Sequence, residues 1–220
     1  MFSAATDERA ARTERLRGLY AITPEIDDTL VLRRHADEAI TGGAAVLQYR
    51  NKAANASLRT EQARALAELC RSRRVLFIVN DDAMLARTVG ADGVHIGEDD
   101  GDVRSAREVV GETSLVGVSC YADLTRARAM VDAGADYVAF GSLYPSSVKP
   151  GARRATLATI NAARSLGVRV VGIGGIDADN AADVIEAGAD AVAVISAVFA
   201  AEDIEGAARA IAEACERANA

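Results

Sequence analysis

Two acidic clusters carry the chemistry most legible in this sequence. Asn80-Asp81-Asp82 follows the apolar run Val75–Val79, and Glu98-Asp99-Asp100 follows the run Asp92–Ile96, with the helically spaced Asp81–Val89 between them. In a parallel sheet the carboxyl ends of neighbouring strands lie about 5 Å apart, so Asp81 and Asp100 would converge on one point. Carboxylates that close repel one another unless a hard cation takes their oxygens. Mg²⁺ is bound in this way, through a carboxylate or two together with substrate phosphates. Helix capping is the competing reading, because Asp81 and Asp100 also stand where N-cap or first-turn acids belong.

The positioning elements alternate along the whole chain. A lead-in helix over Asp7–Arg17 precedes strand Leu19–Thr23, which Pro24 halts. Helix Thr29–Ile40 then ends at Gly42-Gly43, and strand Ala44–Arg50 carries Gln48, Arg50 and Lys52 at its end. Helix Ser57–Arg71 leads into the acidic strand pair. Beyond it come helix Val103–Val110, strand Ser114–Val118, helix Leu124–Ala133 and strand Tyr137–Phe140. The loop Gly141–Ala152, helix Ala155–Leu166, strand Arg169–Ile173, helix Ala178–Ala187, strand Ala191–Ile195 and a helical tail from Asp203 complete the order. Three segments nearly repeat: GADGVHIG from Gly90, GADYVAFG from Gly134 and GADAVAVI from Gly188. Repeated helix–turn–strand units filling the chain predict an α/β fold, a single (β/α)₈ TIM barrel over residues 1–220 with an N-terminal lead-in helix. An open doubly wound sheet is the main competitor, and no GxGxxG opens the first turn to support it.

Bulk properties narrow the function classes. A chain of 220 residues suits one full core. The net charge of −7 argues against a nucleic-acid surface, yet leaves room for a locally built anion site. No run of 18 apolar residues marks a membrane span, and MFSAATDERAARTERLRGLY has no apolar signal core. Cys70, Cys120 and Cys215 are widely spaced and odd in number, which predicts reduced thiols and a cytoplasmic protein. Whether the chain forms a homo-oligomer is not legible.

A parallel barrel displays its functional groups at the carboxyl ends of the strands. Collected there are Gln48, Arg50, Lys52, Asn80, Asp81, Asp100, Ser119, Ser146, Lys149, Gly174 and Gly175. Three cations, metal-type acids and bare amides equip a polyphosphate site. Arg50 and Lys52 also read as solvated strand-end charges, and Gly174-Gly175 as a tight turn. The position of that turn after the seventh strand, with Ile195-Ser196 after the eighth, suits a phosphate cradle. His95 reads as a buried, hydrogen-bonded residue, His35 as surface, and Cys120 as a small core or pocket residue with no His to activate it. Asp132, Asp136 and Asp190 read as turn residues. No Ser-His-Asp or Cys-His arrangement can be assembled, which leaves electrostatic catalysis.

Taken together, Q-x-R-x-K (Gln48, Arg50, Lys52), Asn80-Asp81, GADGVHIG, GVS (Gly117–Ser119), GADYVAFG with Tyr144, Pro145 and Lys149, GIGGI, and VISA (Val194–Ala197) resemble the thiamine phosphate synthase family from Leu19 to Phe199. The resemblance implies a transferase that joins hydroxymethylpyrimidine diphosphate to a thiazole phosphate and releases pyrophosphate by way of a pyrimidine cation. It implies that Gln48, Arg50, Lys52, Asn80 and Lys149 hold the pyrimidine diphosphate and that Asp81 and Asp100 bind Mg²⁺. It further implies that Ser119 lies beside the pyrimidine, that Gly175, Ile195 and Ser196 hold the thiazole phosphate with Ser146, and that Lys149, Ser119 and Arg50 act in the chemistry. The sequence departs from the family at Ser142, Ser146, Val148, Glu98 and Asn51, and none of these removes a charge the mechanism needs. A thiazole tautomerase and a non-catalytic phosphate-binding barrel are the rival readings.

Overall fold

The repeated GAD segments have a structural explanation that fixes the whole architecture. In a computed structural model, which describes residues 4–97, 101–145 and 154–218, eight parallel strands close into a barrel in sequence order. They are β1 (Gly18–Ile22), β2 (Val46–Tyr49), β3 (Leu76–Asn80), β4 (Gly93–Ile96), β5 (Leu115–Tyr121), β6 (Tyr137–Phe140), β7 (Arg169–Ile173) and β8 (Ala191–Val194). The aspartate of each repeat stands just before an even-numbered strand and accepts a backbone N–H from the strand before it. Asp92 accepts from Phe77 at 2.9 Å, Asp136 from Val116 at 2.7 Å, and Asp190 from Val170 at 2.8 Å. Each carboxylate also meets an arginine: Arg12 on Asp92, Arg107 on Asp136 and Arg169 on Asp190. The aspartates are therefore more than turn residues. They hold the amino ends of paired strands in register, which is the structural face of such a barrel.

The helices cover the outside: α1 (Ala4–Arg15), α2 (Thr29–Thr41), α3 (Ala56–Arg73), α4 (Ala83–Val89), α5 (Val103–Val110), α6 (Leu124–Asp132), α7 (Leu157–Ala163), α8 (Ala181–Glu186), α9 (Ser196–Phe199) and α10 (Ile204–Ala218). Side chains cap most of those that follow strands. Asp28, Asn55, Asp82, Asp102 and Asp123 each accept N–H groups from the first turn of the helix they precede. The closed ring excludes the open sheet. The expected boundaries shift by up to three residues, as at the starts of α1 and α8 and the end of β5, and the last turn of the helix expected over Ala155–Leu166 is a 3-10 turn at Arg164–Leu166. The short α9 was not anticipated.

Side chains alternate across each strand. One face packs under the helices in a cluster that includes Leu47, Phe77, Val94, Val116, Val138 and Val192. The other fills the barrel with Tyr20, Ile22, Val46, Leu76, Ile78, Leu115, Tyr137, Val171 and Ala193. Leu16, between α1 and β1, is fully buried in this inner cluster, so the lead-in segment stoppers the amino end. The inner register leaves Gln48, Asn80, His95 and Ser119 as polar members of the inward stripes, above an apolar floor.

Candidate active site

The β2 and β3 ends build the charged part of the rim. Arg50 follows β2, with its backbone N–H donating to the Thr23 hydroxyl at 2.9 Å and its guanidinium on Glu25 at 3.0 Å. Asn51 turns inward and is buried. Its amide donates to Gln62 Oε1, which also accepts from the Tyr49 hydroxyl, while Gln62 donates to the Ile26 carbonyl. This knot ties the loops after β1 and β2 together, so the family departure at position 51 lies beneath the rim. The knot aims Arg50 and Lys52 without offering them a counter-charge of its own. Burial raises the Tyr49 phenol to about 12, so it remains a neutral donor.

Lys52 reaches across to β3 and pairs with Asp81 Oδ2 at 2.9 Å. Asp81 has φ +64°, a left-handed conformation rare for a residue with a side chain, and its backbone N–H donates to the His95 carbonyl at 2.7 Å. It does not cap α4. Asp82 does, accepting from the Leu85 N–H at 2.8 Å. Likewise Asp102 caps α5. The capping reading is therefore removed for Asp81, whose carboxylate is left for the rim. Asp81, Asn80, Lys52, Arg59, Tyr49 and Asn51 line a depression of about 40 Å³ there. An oxygen donor of this kind fits a hard cation. Among the described residues no three His, Cys, Asp or Glu side chains gather into a ready-made metal cluster.

Strain collects on this rim. Among the described residues four other than glycine have a positive φ, and three of them, Asp81, Tyr121 and Ser142, lie at or just beyond the carboxyl ends of β3, β5 and β6. Such conformations cluster where a site imposes them. The loop after β7 is shaped by close approach. A Cβ on Gly174 would stand 2.7 Å from the Ser142 backbone, and one on Gly175 would stand 2.8 Å from the Pro145 carbonyl. Tyr144 N–H donates to the Gly174 carbonyl at 2.9 Å, sealing the two loops together. The tight-turn reading of Gly174-Gly175 thus holds for the side chains they lack. Gly175 is exposed at the rim, and Ile195 and the exposed Ser196 stand at the end of β8, where α9 begins.

Below the rim, Ser119 on β5 is half-buried and its hydroxyl lies 2.9 Å from His95 Nε2. Gln48, buried on β2, donates an amide N–H to the Tyr20 hydroxyl at 2.8 Å. Cys120 points to the other side of β5, fully buried, and burial pushes its thiol up to about 12. It is inert, as expected. His35 is half-buried rather than at the surface.

The structure brings Gln48, Arg50, Lys52, Asn80, Asp81, Ser119, Gly175, Ile195 and Ser196 to one end of the barrel. Asp100, Ser146 and Lys149 lie outside the described residues. Sequence reasoning missed Glu25 and Thr23, which hold Arg50, and the inward tyrosines Tyr20 and Tyr137. The period-2 register of β1 and β6 was the signal available for the tyrosines. Nothing local marked Glu25.

Comparison with known proteins gives consistent results. The profile described as thiamine monophosphate synthase matches residues 19–198. Thiamine-phosphate synthase of Methylobacillus flagellatus is 51% identical over 194 residues, covering 88% of this chain and 93% of that protein. The enzyme of the same name from Thioalkalivibrio sulfidiphilus is 52% identical over 201 residues, covering 90% and 95%. Among solved structures, thiamine phosphate pyrophosphorylase from Pyrococcus furiosus superposes with a TM-score of 0.84 at 34% identity, covering 96% of this chain and all of that one.

Proposed function

The chain belongs to the thiamine monophosphate synthase family, and on that premise we propose how its rim performs the transfer. It is an enzyme of thiamine biosynthesis, a transferase. The substrates we assign are hydroxymethylpyrimidine diphosphate and a thiazole phosphate, with thiamine phosphate and pyrophosphate as products. The observation that carries the reading is the charge at the ends of β2 and β3, where Arg50, paired with Glu25, and Lys52, paired with Asp81 on its left-handed backbone, stand at the open end of the barrel.

In this reading Arg50, Lys52, Asn80 and Lys149 hold the diphosphate and neutralise it as the bond to carbon breaks. Arg50 leaves Glu25 for the substrate, and Lys52 shifts its charge from Asp81. Family membership is consistent with a metal-dependent enzyme. We assign the metal as Mg²⁺, which Asp81 and Asp100 would hold and which would supply positive charge to the diphosphate. Ser119 and Gln48 orient the pyrimidine. Gly175, Ile195 and Ser196, with Ser146, receive the thiazole phosphate through backbone and hydroxyl donors. No activated nucleophile is needed, because the thiazole nitrogen captures the pyrimidine cation once pyrophosphate departs. The three cysteines are buried and form no disulfide, which agrees with a reducing compartment, and we place the reaction in the cytoplasm.

Retention of Arg50, Lys52, Asn80 and Asp81 separates this reading from a tautomerase, which has no diphosphate to grip. The test is incubation with both substrates, omitting each in turn. Thiamine phosphate and pyrophosphate should form in equal amounts and only with both present. Binding without turnover would favour the non-catalytic barrel.

A further inference from the structure

The polar groups inside the barrel form one unbroken chain. Gln48 Nε2 donates to the Tyr20 hydroxyl at 2.8 Å, and Tyr20 and Tyr137 hydroxyls lie 3.0 Å apart. The Tyr137 hydroxyl is 3.2 Å from His95 Nδ1, and His95 Nε2 is 2.9 Å from the Ser119 hydroxyl. Four of the five residues are buried, and the fifth, Ser119, is half-buried on the inward face of β5. Packing fixes the rings. They are tilted against each other at centroid distances of 6.3 Å for the tyrosine pair and 5.6 Å for His95 and Tyr137. A Cβ on Gly117 would fall 1.9 Å from the Tyr137 ring, so the glycine of the GVS motif is the space that ring occupies.

Each hydroxyl in the chain has one proton, so the order of donation is set from one end. An amide nitrogen facing Tyr20 must donate. With one proton filling each link and a neutral imidazole, Tyr20 accepts and gives its proton to Tyr137, which gives its own to His95 Nδ1. His95 therefore carries its proton on Nε2 and donates it to Ser119, whose hydroxyl proton is left for another acceptor. Reversing the amide would reverse every link. Burial raises both phenols well above their ordinary range, so neither leaves the chain as a phenolate near neutral pH.

We propose that Gln48, Tyr20, Tyr137 and His95 form a single-order hydrogen-bond relay that makes Ser119 a donor to the substrate. Tyr20, Tyr137 and His95 are then positioning residues. The relay spends a Gln48 N–H inside the barrel and leaves its amide oxygen as an acceptor. Its two ends, an acceptor on β2 and a donor on β5, match a heteroaromatic edge that carries an amino group beside a ring nitrogen. The inference rests on the functional reading above for its substrate, but the proton order belongs to the free protein.

The decisive measurement is the tautomer of His95, read from ¹⁵N shifts of the imidazole in the substrate-free protein, with His35→Gln used for assignment since His35 and His95 are the only histidines. The expected state is protonated Nε2 and bare Nδ1. Gln48→Glu, whose carboxylate can only accept from Tyr20, should move the proton to Nδ1, although position 48 does not touch His95. If that variant does not fold, Tyr137→Phe serves instead. It should leave the two tautomers mixed and lower kcat/KM by about tenfold, as the loss of one oriented hydrogen bond does. In a Ser119→Ala background the same substitution should change kcat/KM less than about twofold, because it acts through Ser119. A wild-type His95 protonated on Nδ1, or an equal loss in both backgrounds, would overturn the relay. Absence of any turnover would instead sink the functional reading and leave the tautomer result standing.

Discussion

At the scale of single residues, Asp81 carries more of the account than its type alone suggests. Its left-handed backbone costs on the order of 1 kcal/mol, and no helix needs its carboxylate, because Asp82 already caps α4. Asp81→Ala should therefore leave the melting temperature within a few degrees of wild type while kcat falls by about 100-fold or more, the usual scale for losing one charge-stabilising group. Thermal melts and pyrophosphate release check the two halves separately. Arg50→Ala should act similarly through diphosphate binding, while Glu25→Ala, which only frees Arg50, should change kcat/KM by less than about fivefold. The acid clusters and the order of the motifs were legible in the sequence because chemistry constrains residue type. Which aspartate caps and which faces the site was not, since both stand within one turn of the same helix start. Backbone dihedrals decide that, and they depend on the His95 carbonyl, 14 positions away, accepting the Asp81 N–H.

Among the elements, the even-numbered strands show how sequence repeats become registration devices. Each repeat aspartate exchanges hydrogen bonds with the strand before it and holds an arginine, so its removal strands a buried backbone N–H. Asp190→Ala should destabilise the fold by about 1–3 kcal/mol, measured as a drop in the denaturation midpoint, with KM for either substrate little changed because these groups face the amino end. Gly117→Ala should be worse than its single methyl suggests. The added Cβ meets the Tyr137 ring, and overpacking of that kind costs about 1–3 kcal/mol. It should also disturb Ser119, two residues on. Strand and helix order was legible because period-2 apolar runs alternate with capped helical stretches. The ends of elements were less so. The starts of α2, α5 and α6 fell where the sequence put them, whereas the helices expected from Asp81, Ala155 and Ala178 begin two or three residues later, at Ala83, Leu157 and Ala181. The short α9 has too few residues to show any period.

For the whole molecule, closure of the sheet is what turns scattered motifs into a site. Residues from β2, β3, β5, β7 and β8 share one rim only because eight parallel strands make a ring, while the opposite end is given to ion pairs and the Leu16 stopper. The folded barrel also keeps its thiols from ionising. Burial pushes Cys120 to about 12 and Cys215 to about 11 from an ordinary 9.0. Below pH 9 these groups are protonated in both states and their contribution is complete. As pH rises from 9 through 11 to 12 the unfolded chain ionises first, and stability is lost. Denaturation midpoints should therefore fall above pH 9, less steeply in Cys120→Ala/Cys215→Ala. Closure was foreseeable from the number and likeness of the repeats, but the interior hydrogen-bond chain was not, because it joins residues from five different strands. The central claim is that this rim, with a divalent ion at Asp81, draws pyrophosphate away from carbon. It is tested most directly by titrating Mg²⁺ into the wild-type protein and Asp81→Ala with both substrates present and following pyrophosphate. The account predicts metal-dependent release by the wild type and about 100-fold less by the variant; equal release by the two proteins, or undiminished release without metal, would contradict it.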